Sequence, residues 1–451
     1  MAMGRRKSKQ QPLWLTTSQL PPPPAHPFYQ KLNELLEEAQ FDRYVEDLCQ
    51  PYYAEVVGRP SIPPGVYFRM LFVGYFEGLS SQRGIAWKCS DSRSLQPFLG
   101  YLPHEATPDH SSLTNTRQRL PEVVHEQVFA FVLKLADEQG LLDGRTVGVD
   151  ATYLEANASL KTLRRRHTGD DYKTYLRKLA AEAGLESPTE EELRRFDRQR
   201  KDKTLSNDDW ASPTDPDSRI AKMKDGTTHL AYKAEHVVDL NSGLVLTAEV
   251  YAADQADGDT LRPSVASAQI NVVRAESDAD IQEAAADKGY HKAEALAGCV
   301  EDGVRTYIPE AERPQGRVWA DKPEGWERAY RNNRRRVRRA RGKRLQRLRS
   351  EYVERSFAHV CESGGARRSW LRGLAEVSKR YLMQVAGHNL GLLMRRLFGV
   401  GTPRGLQGAC AVLVGPIWGV MILISRGRPC EDDPIAFPWA VTSPRASYRS
   451  C

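Results

Sequence analysis

The chain has 451 residues, of which 40% are apolar and 27% are charged, and its formal net charge is +7. This composition excludes an intrinsically disordered chain, and the length is sufficient for two or three domains with their own cores. The seven cysteines are dispersed without a CxxC pair, which is typical of a reducing cytosol and gives no zinc signature.

The first third of the chain divides into an arm and a helical region. Residues 1–27 are basic and proline-rich, with PPPP at 21–24, and are predicted to be disordered. Over 28–142, apolar residues recur every three or four positions, as in GVYFRMLFVGYFEGL, which predicts an all-helical domain. Within it, Trp87 stands among basic residues, and it is either a core residue or a docking point for DNA.

From residue 143 to 400 the pattern indicates an α/β domain. RTVGVDATYLEAN (145–157) predicts a short strand that ends on Asp150. A polar insertion at about 160–228 is predicted to be partly helical. Two alternating runs around LNSG (240–243) then predict a hairpin.

The rest of this region alternates helices with strands. A helix is predicted near 259–269, followed by an apolar segment ending at Asp287, a helix at about 291–301 and a strand at 303–310. This order predicts a mixed sheet flanked by helices.

The arginine-rich segment 331–350, RNNRRRVRRARGKRLQRLRS, holds ten Arg and one Lys and no acidic residue. So dense a positive charge favours contact with a phosphate backbone. The alternative is a solvated basic helix face or a localisation signal. The 401–451 tail has an uncertain structure. Its apolar stretch 409–424 is short and broken by glycine and proline, so we expect packing rather than a membrane span.

Three carboxylates are candidates for a metal site. Asp150 and Asp287 each follow an apolar, strand-like run, although either one is also a plausible turn cap. Glu354 follows the arginine-rich segment, and Glu351 lies one turn earlier on the same face. Asp254 is the alternative second ligand. Carboxylates that hold two divalent ions support phosphoryl transfer, and Mg²⁺ prefers such oxygen ligands.

The first strand of the predicted hairpin carries a second basic feature. On an alternating strand His229 and Lys233 share one face, where both can reach phosphate. The alternative is an ordinary exposed sheet face.

Several stretches together resemble bacterial insertion-sequence transposases of the DDE superfamily that have an N-terminal helical transposase domain. They span roughly residues 28–400 and are GVDATYLEANASLKTLRR (148–165), DPDSRIAKMKDGTTHLAYKAEHVVD (215–239), AADKGYHKA (285–293), EYVERSFAHV (351–360) and GHNLGLLMRRLFG (387–399). The resemblance implies a catalytic domain similar to ribonuclease H. It also implies that Asp150, Asp287 and Glu354 are the catalytic metal ligands, with Asp287 favoured over Asp254 through the DKGY match.

The activity implied is Mg²⁺-dependent DNA cleavage and strand transfer, with two ions and with Mn²⁺ as a possible substitute. The implied partners are double-stranded DNA, at the element ends and the target, and a second copy of the chain. We expect a cytoplasmic, nucleoid-associated protein without a membrane role. The alternatives are a metal-dependent DNA endonuclease without strand transfer and a non-catalytic DNA-binding protein. The residues predicted to contact DNA are Lys233, Lys288, Arg334, Arg335, Arg336, Arg338, Arg339 and Arg347.

The sequence departs from the broader superfamily at two positions. Ser350 stands where an arginine often precedes the glutamate by four residues, and Cys361 stands where a lysine often follows it by seven. Arg347 and Arg349 lie nearby in the same segment.

Overall fold

The structure is a computed structural model that describes residues 26–54, 58, 61–185, 187–201, 206–223, 225–310 and 319–405. The predicted N-terminal arm, apart from its last two residues, and the apolar stretch 409–424 lie outside these ranges. Within the described ranges, none of the helices combines the length and apolar character that a bilayer crossing needs.

The N-terminal region is all-helical, as predicted. Its helices are α1 (Pro27–Glu38), α2 (Phe41–Cys49), α3 (Pro64–Phe76), α4 (Gln82–Asp91), α5 (His110–Arg119) and α6 (Glu122–Glu138). Helix α3 begins at a proline, which suits the first helical turn because no backbone N–H is needed there. Its residues are buried almost all round, so α3 forms the centre of this region. Arg69 on α3 is also buried and pairs with Asp42 of α2 at 2.7 Å.

The second region is built on a six-stranded mixed sheet. Its strands are β1 (Thr146–Glu155), β4 (Arg219–Lys222), β5 (Thr228–Asp239), β6 (Val245–Ala252), β7 (Glu283–Ala286) and β8 (Arg305–Tyr307). The path β4–β5–β1–β7–β8 runs across the sheet, and β6 also pairs with β5. Strand β1 is antiparallel to β5 and parallel to β7, and β7 is parallel to β8. This confirms the predicted α/β architecture with a mixed sheet.

The predicted hairpin is present as β5 and β6. Asp239 closes its turn by accepting hydrogen bonds from the Asn241 backbone N–H and the Ser242 hydroxyl, both at 2.9 Å. Gly243 adopts a φ of 84°, which only glycine takes at little cost. The turn residues of LNSG therefore fix where β5 ends and β6 begins.

The polar insertion is partly helical, as expected. It contains α7 (Tyr172–Glu182), α8 (Glu190–Gln199) and a short ribbon of β2 (Arg164–Arg165) with β3 (Trp210–Ala211). Thr189 and Glu192 form a capping box at the start of α8. The last part of the insertion, β4, joins the edge of the main sheet beside β5.

The remaining helices are α9 (Asp257–Arg274), α10 (Ala293–Glu301), α11 (Trp326–Arg338), α12 (Ala340–Phe357) and α13 (Leu374–Phe398). Helix α13 packs against both regions. Its Asn389 accepts a hydrogen bond from the Val245 backbone N–H at 3.0 Å, and His388 bonds the Tyr75 hydroxyl of α3 at 3.3 Å. The two predicted domains therefore pack as one compact unit, joined by a helix from the far end of the sequence.

Candidate active site

Asp150 lies in the middle of β1, not at its end. Strand β1 continues through Glu155, and Asp150 is opposite His236 of β5 in the antiparallel register. The expectation that the strand stops at Asp150 is therefore wrong, and so is the alternative that Asp150 caps a turn. The strand continues because the residues after Asp150, ATYLE, keep pairing with β5 on that side.

Asp287 follows directly on β7, the parallel neighbour of β1. The register pairs Val149 with Ala286, so the next step along both strands sets Asp150 beside Asp287. Neighbouring strands are about 4.8 Å apart, and side chains at equivalent positions point to the same face. The fold therefore brings the backbone positions of Asp150 and Asp287 next to each other. Asp254 instead follows β6, on the far side of β5, and pairs with Arg219 at 3.3 Å.

The DKGY turn after β7 holds Asp287 in position through hydrogen bonds and buried contacts. Asp287 caps a single 3₁₀ turn, Lys288–Tyr290, by accepting a hydrogen bond from the Lys288 backbone N–H. Tyr290 is fully buried and donates to the Glu235 carboxylate of β5 at 2.8 Å. Gly289 is needed for close packing, because a Cβ there would lie 2.5 Å from a carboxylate oxygen of Asp257.

Lys233 belongs to this buried anchor and does not reach the surface. It is 1% exposed, and its ammonium lies 2.7 Å from Asp257, 3.0 Å from the Thr260 hydroxyl and 3.6 Å from Glu235. Helix α9 covers this face of the sheet, so contact between Lys233 and DNA phosphate is excluded in this structure. Burial raises the pKa of Glu235, while hydrogen bonds from Thr260 and Tyr290 and the charge of Lys233 act against that rise.

Helix α12 packs across the opposite face of the sheet, where Asp150 lies. A Cβ on Gly148 would be 3.1 Å from side-chain atoms of both Arg349 and Val353. The absence of a side chain at this position lets α12 approach the sheet closely. Gln346 of α12 donates to the Ala286 carbonyl at 3.1 Å, so the helix also contacts the end of β7.

The structure brings a cation to Asp150 that has no assigned role in the sequence prediction. The Arg349 guanidinium lies 2.7 Å from Asp150 Oδ2, and its side chain is 12% exposed. The Asp150 Oδ1 atom accepts a hydrogen bond from the Ala151 backbone N–H at 2.8 Å. In the sequence, Arg349 stands out from its segment only together with Arg347, as an arginine near Ser350, and nothing there indicates contact with Asp150.

Glu354 lies further along α12 and is exposed. It accepts a hydrogen bond from the Ser350 hydroxyl at 2.8 Å. Glu354 follows Arg349 by five residues, which turns its side chain by about 140° around the helix relative to Arg349. Glu351, the competing candidate, pairs with Arg355 at 2.7 Å on the exposed side.

His236 of β5, which is opposite Asp150, links this strand to α12 by a hydrogen bond. The Ser356 hydroxyl donates to the Val353 carbonyl, so it accepts from His236 Nδ1, at 2.8 Å. His236 Nε2 then accepts from the Tyr381 hydroxyl, also at 2.8 Å. Burial holds the pKa of His236 well below its usual value, so the ring is neutral.

The arginine-rich segment forms α11 and most of α12, and several of its arginines have acidic partners far away in the sequence. Besides Arg349, Arg341 pairs with Glu283, and Arg334 lies 3.6 Å from Glu310. Arg336 is partly buried and donates to the Thr306 carbonyl at 3.0 Å. The expectation that the whole segment needs an external polyanion is therefore too broad. The predicted DNA contacts that remain exposed are Lys288, Arg334, Arg335, Arg338, Arg339 and Arg347.

Trp87 of α4 is 74% exposed, so the interpretation as a core residue is wrong. Its neighbour Lys88 pairs with Glu77 at 3.3 Å. An indole exposed to this extent is unusual on a protein surface. Docking of DNA on this helix stays a prediction.

The donor set fits a divalent ion only in part. Asp150 and Asp287 supply carboxylates from adjacent backbone positions, and carboxylate oxygens are the ligand type that Mg²⁺ prefers. However, no three acidic, histidine or cysteine side chains in the described part of the chain come together closely enough to hold one ion. Glu354 therefore does not complete the site in this conformation, and Arg349 lies against Asp150 instead.

Comparison with known protein families agrees with this architecture. A transposase domain model (DUF772) matches residues 17–119, and a transposase DDE domain model matches residues 305–394. Searches of curated proteins and of solved structures give no match. Both matches are to transposase domains, and together they support a DDE-type transposase with an N-terminal helical domain, a type of protein that acts in transposition of mobile elements.

The extent of the second match is informative about the site. It covers the end of the sheet, the arginine-rich helices and Glu354, whereas Asp150 and Asp287 lie outside it. DDE transposase domains generally use divalent metals, and the family implies DNA binding. The assignment of the two aspartates as metal ligands therefore depends on their adjacent strands and on the family-like motifs at 148–165 and 285–293.

Proposed function

We propose that the protein binds the terminal inverted repeats of an insertion sequence, hydrolyses DNA at the element ends and joins the 3′-hydroxyl to target DNA. Asp150, Asp287 and Glu354 would hold divalent ions, Mg²⁺ in the first place. The observation that carries this proposal is the parallel register of β1 and β7, which sets Asp150 beside Asp287 on the face covered by α12.

The protein's own residues divide the work. When bound, divalent ions supply electrostatic stabilisation of the charge that develops during phosphoryl transfer. Asp150 is held within a strand, and the buried Tyr290–Glu235 contact fixes the turn that carries Asp287, so neither carboxylate needs to be ordered during the reaction. Glu354 would reach the pair only after α12 or its side chain rearranges.

DNA would lie along the exposed cationic side of α11 and α12. Arg335, Arg338 and Arg339 cluster around the junction between these helices, and Arg347 is exposed on α12. Phosphate contacts of this kind position the duplex without reading its sequence. We expect a homodimer on paired ends.

A strand-transfer assay with pre-cleaved element ends tests the activity. The wild-type chain should join the ends to target DNA in Mg²⁺ or Mn²⁺, and Asp287→Ala should abolish both cleavage and joining. Asp254→Ala is the matched control, because Asp254 also follows a strand but pairs with Arg219 away from β1. Cleavage without joining would indicate an endonuclease. Full activity of Asp287→Ala would overturn the site assignment.

A further inference from the structure

The ion pair between Arg349 and Asp150 stands at the position where the proposed site needs a metal. The guanidinium lies 2.7 Å from Asp150 Oδ2, and the side chains are 12% and 21% exposed. A carboxylate that is only partly exposed is stabilised by a nearby cation. In the structure that cation is an arginine of the protein itself.

The position of Arg349 is fixed by packing as well as by charge. Its Cγ packs against Gly148 of β1, and a methyl group of Val353, one turn later on α12, packs against the same glycine. The Arg349 Nε atom is buried without a hydrogen-bond partner within the described structure. The guanidinium therefore binds Asp150 through one nitrogen, and its location leaves the buried Nε donor without an acceptor among the described residues.

The direction in which Arg349 points from α12 also explains why Glu354 does not join Asp150 and Asp287. Arg349 and Glu354 point in directions about 140° apart around α12. With Arg349 turned towards Asp150, Glu354 stays on the exposed side, where Ser350 donates to it. Among the described residues no three potential ligands then surround one point.

We propose that Arg349 is the resident counter-cation of Asp150, which occupies the place of a divalent ion in the metal-free protein and is displaced when the ion binds. This inference rests on the proposed function, because it takes Asp150 to be a metal ligand. Metal entry has to break the Arg349–Asp150 pair first. The metal-free protein is thereby protected from an uncompensated pair of carboxylates, and its affinity for metal without DNA is lowered.

Removing the arginine should therefore strengthen metal binding in the absence of DNA. A partly exposed ion pair is worth about 1 kcal/mol, which corresponds to a roughly fivefold change in affinity. We expect Mn²⁺ to bind Arg349→Met about fivefold more tightly than the wild-type chain. Arg349→Lys keeps a positive charge at this position and should bind Mn²⁺ with nearly wild-type affinity.

The experiment is isothermal titration of the full chain with Mn²⁺ alone, without DNA. Arg355→Met is the matched control, because Arg355 is on the same helix and pairs with Glu351 at 2.7 Å on the exposed side. It should leave the affinity unchanged. Asp150→Asn should abolish this binding event, both in the wild-type background and together with Arg349→Met.

The outcomes separate this inference from the proposed function. Equal or weaker Mn²⁺ binding by Arg349→Met, with the event still lost in Asp150→Asn, would overturn the role of Arg349 alone. Mn²⁺ binding that persists in Asp150→Asn would show that Asp150 is not a ligand and would overturn the proposed site. If Arg349→Met does not fold, a wild-type affinity of Arg349→Ala or of the conservative Arg349→Gln would likewise overturn the inference.

Discussion

Asp287 stands one step beyond the Val149–Ala286 pair of the β1–β7 register, which makes it the lateral neighbour of Asp150. The relationship depends on a parallel pairing between strands more than a hundred residues apart in the chain. It also depends on the turn after β7, which the buried hydroxyl of Tyr290 fastens to Glu235. Asp150 lies within a central strand, and Asp287 directly follows that strand's parallel neighbour, so both are attached to the part of the sheet where the backbone is least able to move.

The close approach of α12 to β1 predicts the effect of a side chain at position 148. In Gly148→Ala the new Cβ would lie 2.7 Å from Leu240 and 3.1 Å from both Arg349 and Val353, so α12 must shift. We expect a loss of about 1–3 kcal/mol in the free energy of unfolding, measured with urea, together with reduced strand cleavage. Gly84→Ala in α4 is the control, because its Cβ would meet only the Ser81 hydroxyl at 3.2 Å and Leu79 at 4.0 Å. Unchanged stability of Gly148→Ala would contradict the packing described.

The burial of Lys233 predicts a stability defect where the sequence predicted a DNA-binding defect. Lys233→Ala leaves Glu235, which is 0% exposed, without its cation. Breaking a buried pair in this way costs roughly 3–5 kcal/mol. Unfolding experiments should show this loss, and Lys233→Ala/Glu235→Gln should recover part of it. The control Arg347→Ala, at an exposed position, should weaken DNA binding and leave stability unchanged. The reverse pattern would restore the original prediction for Lys233.

The exposed arginines at the junction of α11 and α12 predict a salt-dependent contact with DNA. If Arg335, Arg338 and Arg339 each neutralise one phosphate, replacing all three by alanine reduces the slope of log K against log salt by about 2.7. Fluorescence anisotropy with duplex DNA at several salt concentrations measures the slope. Arg331→Ala is the control, because Arg331 pairs with Glu327 of the same helix at 2.5 Å. An unchanged slope in the triple variant would place the DNA elsewhere.

Three of the buried histidines, His125, His236 and His388, predict a loss of stability in mild acid. Burial lowers the pKa of His125 to about 4 and of His388 to about 3, and it lowers the pKa of His236 well below 6.5. Below pH 6.5 the unfolded chain takes up protons that these folded histidines refuse. The contribution of these histidines to the free energy of unfolding is therefore fully present above this pH. It falls as the pH is lowered towards 4, by up to about 1.4 kcal/mol per pH unit for each histidine.

Urea unfolding at pH 7.5, 6 and 5.5 measures this dependence, before most carboxylates begin to titrate. His388→Gln removes one of the three groups, so its stability should change less steeply with pH than that of the wild-type chain. A free energy of unfolding that stays constant across this range would contradict the neutral, buried state of the histidines.

Local patterns predicted the elements well where one face of an element is polar. The alternation of β5 and β6 around LNSG, the capping box at Thr189 and the amphipathic helices all follow from neighbours in the sequence. Asp150 was misplaced because an aspartate within a strand resembles one at a strand end. The alternation predicted that Lys233 shares a face with His229, but it carries no information that α9 covers Lys233.

Long-range pairing explains the rest of the differences. The partners of the arginines, such as Glu283 for Arg341 and Asp150 for Arg349, lie far away in the sequence. Helix α13 was correctly predicted as a helix, but its packing on α3 and β6 depends on the finished fold. The charge density of the arginine-rich segment therefore overestimates the number of its arginines that are available to bind DNA.

If Asp150 and Asp287 bind the same divalent ion, anomalous scattering from crystals grown or soaked with Mn²⁺ should locate that ion between them. We expect an anomalous peak within about 2.2 Å of a carboxylate oxygen of each aspartate, with Arg349 turned away from Asp150. A peak that touches only Asp254, Asp257 or Asp259, or ions bound without contact to Asp150 and Asp287, would contradict it.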